Sequence, residues 1–333
     1  MNILRIHRSC IYLLALVPTT LSFSALLSPP PSPLHPVTYD ADRETILTSQ
    51  DGLDVGIPDL DTLFSTICQV SPAARQAIES LDTNDNNSKW TRLARSEKAT
   101  VGPSLPWKSV QPYQPHRIVQ QIEKIDNFQG HNAPLLRFRA NIPGPCLPDS
   151  FARFIMDVDE RKRWDTQIDS VEQIITLPFY SRLAPGTARQ LGVGHCVTKA
   201  GFGISPREQL TLCGVQDMEN GSHMMWGTEL PLSQNHLLPA EPRSSCTRAT
   251  SHVFAITLTP RDTRSFDVEY VLQLEIGGNI PPWLTTPIVI DSVRNMFRVA
   301  DDFFSGVDGR LFQRLCAEDA RTALPDGLLM SAP

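Results

Sequence analysis

The chain has 333 residues, of which 41% are hydrophobic, so it can form one large domain or two small ones with a true core. Its formal net charge of -6 argues against a general nucleic-acid-binding protein, because neutralising phosphates requires clustered Lys and Arg. The seven cysteines include no Cys-x-x-Cys pair and no spacing with histidine that is typical of a metal site. We therefore expect no metal and no cofactor, and buried thiols in preference to disulfides.

The first 23 residues have the pattern of a signal peptide. Arg5 and Arg8 precede an apolar run at residues 11–17, and small and polar residues follow around Ser22. The apolar run is too short to span a membrane. A buried N-terminal helix is the alternative, and Pro18 with the proline tract after it disfavours that alternative. The pattern predicts entry into the secretory pathway and a lumenal or secreted protein.

The segment after the predicted signal peptide resembles a second targeting signal. Residues 24–39 contain no acidic residue and are rich in Ser and Pro. Together with residues 21–25 (LSFSA), this segment resembles the presequences of algae with secondary plastids. His35 is its one possible positive charge. The resemblance implies the plastid as an alternative destination.

Residues 24–109 are interpreted as a lead-in that is only partly helical. Residues 60–81 show helical spacing of apolar residues, and residues 82–88 have the composition of a solvated loop. Residues 93–110 are polar and contain Pro103 and Pro106, which is typical of a linker. We therefore place a domain boundary near residue 110, with a second domain over 110–320.

The second domain shows dense strand patterning. A short helix, capped by Asp149 and with Phe151, Phe154, Ile155 and Val158 on one face, interrupts the strands. Asn220-Gly221 predicts a hairpin, and residues 260–262 predict another turn. Strands are predicted at 117–125, 136–142, 171–176, 191–199, 209–215, 223–229, 251–259 and 266–276. This order predicts an α+β fold with a long antiparallel meander.

The last strand leads into a turn and a long helix. Its residues alternate strictly, with the apolar ones on one face and Asp267, Glu269, Gln273 and Glu275 on the other. Residues 277–284 (GGNIPPWL) cannot continue a paired strand. Apolar residues then recur at helical spacing up to Val307; Thr286 before Pro287 predicts the helix start, and Gly306 predicts its end. A sheet that curves around such a helix can enclose a cavity.

Several short motifs occur in a family-specific order: residues 151–157 (FARFIMD), Arg161, Trp164-Asp165, residues 205–210 (SPREQL) and residues 275–284 (EIGGNIPPWL). The set resembles the START domain, the steroidogenic-acute-regulatory-protein-related lipid-transfer module, over roughly 200 residues. The resemblance implies a helix-grip fold, in which a curved antiparallel sheet and a C-terminal helix enclose one lipid molecule. It also implies that this helix acts as a lid.

The resemblance assigns candidate residues to the cavity and its lid. A lipid tunnel requires an apolar sheet face that its own side chains do not fill, and a helix that can detach. The alternative for each of these residues is an ordinary packed core. The candidates are, for the walls, Phe254, Ile256, Leu258, Tyr270, Leu272 and Leu274 and, for the lid and its approach, Trp283, Val293, Phe297 and Phe304.

Two further candidates lie at the positions of arginines in the family. Arg207 matches the Arg of an Arg-Asp pair, in which Glu208 replaces the Asp. It either orients a lipid head group or pairs with a carboxylate that fixes the strand end, and we favour the second role. Cys213 stands where sterol-binding members carry a second Arg, which disfavours a sterol ligand.

Contact with a membrane surface is expected to be transient, and the protein is expected to be a monomer. Met218, at the tip of a loop over residues 216–222, is predicted to be exposed beside the lid. The basic run of Arg161, Lys162 and Arg163 could meet anionic head groups, but three charges at a helix end are more often a solvated surface.

The sequence does not favour catalysis. His195 and Cys196 are adjacent, but neighbours on a strand point to opposite faces and cannot form a dyad with each other. No Gly-x-Ser-x-Gly, His-Glu-x-x-His or phosphate-binding glycine loop is present. The expected function is therefore non-enzymatic lipid binding and transfer. The alternatives are a helix-grip hydrolase or cyclase with a hydrophobic substrate, and an adaptor that senses lipid without transferring it.

Overall fold

The computed structural model describes residues 45–49, 52–81, 89–95, 105–110, 117–144, 146–165, 167–178, 183–199, 204–238, 246–278 and 280–322. The predicted signal peptide and plastid address lie outside the described residues, as does Asn279 in the turn after the last strand. The predicted solvated loop at 82–88 lies outside them too.

A large, mainly antiparallel sheet forms the centre of the described chain. Its strands are β3 (Lys108–Ser109), β4 (Val119–Ile125), β5 (Leu135–Pro143), β6 (Ile168–Thr176), β7 (Thr187–Thr198), β8 (Arg207–Asp217), β9 (His223–Glu229), β10 (Thr247–Arg248), β11 (Thr250–Asp262) and β12 (Ser265–Glu275). Their order is β3-β4-β5-β12-β11-β9-β8-β7-β6, and β10 pairs in parallel with β8. The predicted antiparallel meander is thus confirmed, with strand ends that differ by a few residues.

The N-terminal part of the described chain forms a small layer of its own. It contains β1 (Thr45–Thr48), β2 (Asp54–Ile57), α1 (Leu60–Val70), α2 (Pro72–Glu79) and α3 (Lys89–Arg95). The predicted helical stretch over 60–81 is therefore confirmed as helical, but it is divided into two helices at Ser71. Ser71 ends α1, and its side chain accepts a hydrogen bond from Ala74 N at the start of α2.

This N-terminal layer covers one face of the sheet. Its apolar residues share a hydrophobic cluster with Leu210, Leu212, Trp226, Val253 and Val271 from the strands. Some of the polar residues expected on the free face of the last strand are consequently buried, since Glu269 is 7% exposed and Gln273 is fully buried. The same contact supplies hydrogen-bond donors to the buried carboxylate of Glu269. This carboxylate accepts hydrogen bonds from Ser71 Oγ at 2.6 Å and from Ala73 N at 3.2 Å.

Two hairpin turns were predicted, and one of them is placed differently. The turn at Asn220-Gly221 joins β8 to β9 as expected, with Gly221 at φ 76°. Residues 260–262, in contrast, belong to β11, because a bulge lets the strand continue past Pro260 to pair Asp262 with Ser265. The turn follows there, since Asp262 accepts hydrogen bonds from Arg264 N and Ser265 Oγ.

The short helical region after β5 is two helices, α4 (Pro148–Met156) and α5 (Val158–Trp164). Asp149 was predicted to cap the first helix, but it lies in the first turn, behind Leu147 at the cap position. Pro148 accounts for the earlier start, because its fixed φ and missing N–H suit the first helical position. Asp157 caps α5 through Asp159 N and Glu160 N.

The long C-terminal helix is α6 (Pro282–Ser305), followed by α7 (Val307–Thr322). The predicted start at Thr286 and Pro287 is wrong. Pro282 begins the helix, and the carbonyl of Pro281 accepts hydrogen bonds from the N–H groups of Leu284 and Thr285. Gly306 ends α6 as predicted. Val307 begins α7 instead of extending the apolar stripe, and its side chain is 72% exposed.

Candidate functional site

The second face of the sheet packs against α4 and α6. Its side chains and those of the two helices form one buried hydrophobic cluster, which includes ten of the candidate cavity and lid residues. These ten are Cys213, Phe254, Ile256, Leu258, Tyr270, Leu272, Leu274, Val293, Phe297 and Phe304. The structure therefore brings the predicted walls and the predicted lid helix together. Their role in lipid binding stays a prediction.

Strand register explains why these residues meet. Ile256 lies opposite Tyr270, and Tyr270 lies opposite Phe138, so the three form a row across β11, β12 and β5. Phe254 and Leu272 form the parallel row next to it. Because side chains two residues apart on a strand share a face, both rows point toward α6.

Aromatic contacts connect α6 to α4. The ring of Phe297 stacks with that of Phe151 at a centroid distance of 6.2 Å, and the ring of Phe304 meets Phe154 edge to face at 5.3 Å. Phe297 is fully buried and Phe304 is 3% exposed. The predicted lid helix thus closes the cluster with aromatic side chains.

Tyr270 is the polar exception within this cluster. Its side chain is fully buried between the rings of Phe138 and Phe254, at centroid distances of 5.8 and 5.4 Å. Its hydroxyl has no hydrogen-bond partner among the described residues. Burial raises the pKa of Tyr270 well above its usual range, and the positive charge of Arg161 acts on it in the opposite direction. The hydroxyl of Tyr270, which can both donate and accept a hydrogen bond, therefore lies in an apolar environment.

Arg161 is buried, which corrects the prediction that the basic run at 161–163 is a solvated surface. Its side chain has no exposure, and its Nε donates a hydrogen bond to Asp165 Oδ2 at 2.7 Å. Asp165 is 4% exposed at its side chain and also accepts a hydrogen bond from Gln167 N. The physical reason is the i,i+4 spacing at the end of α5, which places both groups on one helix face. Lys162, between them in sequence, is exposed.

Arg207 lies at an end of the sheet, apart from the cluster. It is 2% exposed, and its guanidinium donates hydrogen bonds to the backbone carbonyls of Ser205 and Ile276. Burial lowers its pKa. The favoured alternative of fixing a strand end agrees with this arrangement, although Arg207 does so through backbone carbonyls and Ser205 Oγ instead of the expected carboxylate. Arg207 joins the start of β8 to the end of β12.

Trp283 is the one candidate with an exposed side chain, at 75%. It lines a groove of about 710 Å³ between the first turns of α6 and the edge of the sheet near β3 and β4. Val110, Ile122 and Ile290 supply apolar walls, and Lys124 and Arg294 lie at the same groove. The groove is thus an amphipathic surface beside the start of the predicted lid.

Met218 is not exposed, contrary to the prediction for the loop at 216–222. It is 4% exposed and belongs to the cluster on the other face of the sheet. The reason is a tight turn, in which Met218 N donates to the carbonyl of Ser222 and Gly221 N donates to the carbonyl of Met218. A turn this short holds the side chain of Met218 against the sheet.

His195 and Cys196 have separate environments, as their alternation on one strand predicts. The His195 ring lies between carboxylates, with Nδ1 at 3.2 Å from Glu172 and Nε2 at 3.4 Å from Glu208. Cys196 packs in a small cluster with Ile168 and Val171. The two side chains therefore do not form a dyad with each other.

The six described cysteines are thiols, and five of them are buried. Burial raises the pKa of Cys68 to about 12. The preference for buried thiols over disulfides is thus confirmed for this part of the chain.

Among the described residues, no helix combines the length and the apolar character needed to cross a membrane.

Comparisons with known proteins gave matches among solved structures. No family model and no curated protein matches the chain. Human STARD10 is 14% identical, with a TM-score of 0.47 over 66% of this chain and 82% of that one. Human StAR-related lipid transfer protein 5 is 15% identical, with a TM-score of 0.47 over 70% of this chain and 96% of that one.

A third similar structure is bacterial. It is the STAR-related lipid transfer protein fragment from Xanthomonas axonopodis, which is 18% identical, with a TM-score of 0.45 over 60% of this chain and 99% of that one. The fold described above is itself a helix grip, an antiparallel sheet with a long C-terminal helix packed on one face, as the order of motifs predicts.

Proposed function

We propose that this protein binds one lipid molecule between the sheet and α6. The observation that carries the proposal is the hydroxyl of Tyr270, which is buried in an apolar cluster without a hydrogen-bond partner among the described residues. Such a group costs about 1–3 kcal/mol if it stays unsatisfied, so native proteins rarely retain one without a role. A polar atom of a bound lipid would satisfy it.

The surrounding residues fit the two halves of such a ligand. Phe254, Leu272 and Phe297 offer apolar surface to hydrocarbon, whose removal from water is favourable. The hydroxyl of Tyr270 can donate to a lipid oxygen, and the nearby positive charge of Arg161 favours an oxygen with negative charge. We therefore propose a lipid with an oxygen-rich polar group, held with that group inside the protein.

Entry of the lipid would require α6 to move. The turn before α6 contains Gly277 and Gly278 at φ 68° and 76°, a left-handed conformation that glycine adopts without strain. Trp283 and Leu284, both exposed, follow this turn and would contact the membrane transiently, since Trp is favoured at membrane interfaces. The lipid would then pass from one apolar environment to another.

We further propose that the protein acts as a monomer that transfers lipid without catalysis. The buried polar groups named above can orient a ligand, but they do not include a nucleophile with an adjacent base. The segment at 1–23 would direct the chain into the secretory pathway, and residues 24–39 would direct it to a plastid if the address is bipartite. Fusing residues 1–45 to a fluorescent reporter distinguishes a lumenal from a plastid location.

Native mass spectrometry of the full chain, purified from the cells that produce it, tests the proposal. We expect a mass increment of one intact lipid per chain that is lost on denaturation. Transfer of that lipid between liposomes then separates a transfer protein from an adaptor. A chain that carries no lipid and takes none up from liposomes would contradict lipid binding.

A further inference from the structure

A group of potential metal ligands lies at a different place, near one end of the sheet. Among the described residues, His131, His252 and Glu275 have ligand atoms that all lie within 4.8 Å of one another. His131 precedes β5, His252 lies on β11 and Glu275 is the last residue of β12. Because these positions are far apart in sequence, cysteine and histidine spacing could not show them.

The two histidines are held close by the fold. Their rings stack at a centroid distance of 3.7 Å. His252 lies at the bulge of β11, where the register with β12 shifts between Ser251 and Val253. Bulges occur frequently next to functional sites, because they turn a side chain out of the regular alternation.

The ring of His252 faces the carboxylate of Glu275. Its Nε2 is buried and accepts or donates no hydrogen bond among the described residues, and it lies 3.5 Å from Glu275 Oε2. The fold therefore places an imidazole nitrogen beside a carboxylate oxygen at this end of the sheet.

The other two residues are oriented by the backbone around them. Asn132 N donates a hydrogen bond to Glu275 Oε1 at 3.2 Å, which leaves the second carboxylate oxygen facing His252. The segment that carries His131 is fixed by Gln273, whose side chain donates to the carbonyls of Phe128 and Ala133. In known metal sites, hydrogen bonds from surrounding groups hold the ligand side chains in position in the same way.

We propose that His131, His252 and Glu275 bind one zinc ion. Two imidazoles and one carboxylate suit zinc, which binds nitrogen at about 2.0–2.1 Å and carboxylate oxygen at about 2.0–2.2 Å, with water as a fourth ligand. Binding requires the stacked rings to turn apart so that both nitrogens point at one centre. His252 also lines a surface cleft of about 700 Å³, through which an ion can enter.

The position gives such an ion a structural effect. Glu275 lies two residues before Gly277, where the turn toward α6 begins. An ion bound there would join the segment before β5, the bulge of β11 and the end of β12. It would therefore stabilise the base of the turn from which the predicted lid helix extends.

Isothermal titration of the metal-free full chain with zinc chloride, in a non-thiol reductant, tests the proposal. We expect one zinc ion per chain and a higher melting temperature with zinc. His131→Ala, His252→Ala and Glu275→Gln should each weaken binding at least about 10-fold, as much as loss of an outer-shell partner does. Glu275→Gln keeps the shape of the side chain, so it decides the question if a histidine variant does not fold.

His236→Ala is the matched control, because His236 is exposed and lies apart from the three ligands, in the 3-10 helix at Leu232–Leu237. It should bind zinc as the wild type does. Cobalt substitution identifies the ligands: a spectrum without thiolate-to-cobalt charge transfer supports the proposal, and a thiolate band would place the metal on a cysteine and overturn it. Absence of zinc binding, or binding unchanged in Glu275→Gln and both histidine variants, would also overturn it. None of these outcomes depends on lipid binding.

Discussion

The Nε of Arg161 lies 2.7 Å from Asp165 Oδ2, and both side chains are enclosed by the protein. A buried ion pair of this kind contributes little net stability, because desolvation of the two charges offsets their attraction. The charge of Arg161 also acts on the hydroxyl of Tyr270, so the proposed lipid binding would give the pair a second role.

We expect Arg161→Met to lower the free energy of unfolding by about 3–5 kcal/mol, because it leaves the carboxylate of Asp165 buried without its partner. Urea denaturation measures this loss. The double variant Arg161→Met/Asp165→Asn should recover most of the stability and still bind lipid more weakly than the wild type. A double variant that is stable and retains full lipid affinity would show that the pair serves folding alone.

We expect Tyr270→Phe to weaken lipid binding by about 5- to 30-fold, which corresponds to a lost hydrogen bond of about 1–2 kcal/mol. The ligand-free variant should be as stable as the wild type or slightly more stable, since the hydroxyl removed has no partner among the described residues. Equilibrium binding of a fluorescent lipid gives the change in affinity, and urea denaturation gives the change in the free energy of unfolding.

Thr257→Val is the matched control for Tyr270→Phe. The hydroxyl of Thr257 is also buried without a hydrogen-bond partner among the described residues, but Thr257 lies on the opposite face of β11 from Ile256. Its loss should leave lipid affinity unchanged. Equal losses of affinity in the two variants would contradict a ligand placed between the sheet and α6.

We expect Gly277→Ala to be more damaging than Gly278→Ala. Both residues have positive φ, but a Cβ at Gly277 would collide with the backbone carbonyl of Arg248, whereas one at Gly278 would lie 3.1 Å from the side-chain Nη2 of Arg207. We expect the free energy of unfolding to fall by about 2–4 kcal/mol in Gly277→Ala and by about 1–2 kcal/mol in Gly278→Ala. Melting curves of the two variants rank them, and the reverse order would contradict the described turn.

Stability should fall on acidification, in part through Asp217. Burial alone would raise its pKa, but hydrogen bonds from His223 and Arg189 outweigh burial and lower it. A group whose pKa is lower in the folded state stabilises above its unfolded pKa of about 3.9, and that contribution is lost as the pH falls through the folded value. Between about pH 4 and pH 2 the wild type should therefore lose stability more steeply than Asp217→Asn. Parallel slopes in urea titrations across this range would contradict the prediction.

Much of the fold could be predicted from local patterns. Strict alternation in β12 and the Asn220-Gly221 turn locate strand faces and a hairpin, because those signals depend on residues near in sequence. The same patterns could not show that the N-terminal helices cover Glu269, since that contact joins residues almost 200 positions apart. The start of α6 was missed for a local reason, because two prolines could each begin the helix and only Pro282 does.

The buried apolar face that carries the candidate residues could be predicted from the sequence, whereas its polar groups could not. Periodicity identified the face that carries Tyr270 and Phe254, but it could not show that the hydroxyl would be buried without a partner. The charge pattern places Arg161 in a surface run, although the i,i+4 spacing of Arg161 and Asp165 is a signal for an ion pair. The burial of that pair depends on packing across the fold, which a charge count cannot show.

The most direct test of the central claim is photocrosslinking with a lipid that carries a diazirine in its acyl chain, followed by mapping of the labelled peptides. We predict label on the buried residues of β11, β12 and α6, among them Phe254, Leu272 and Phe297, and less label in Tyr270→Phe. Label confined to the exposed side chains of Trp283 and Leu284 would place the lipid on the surface and contradict binding in the interior.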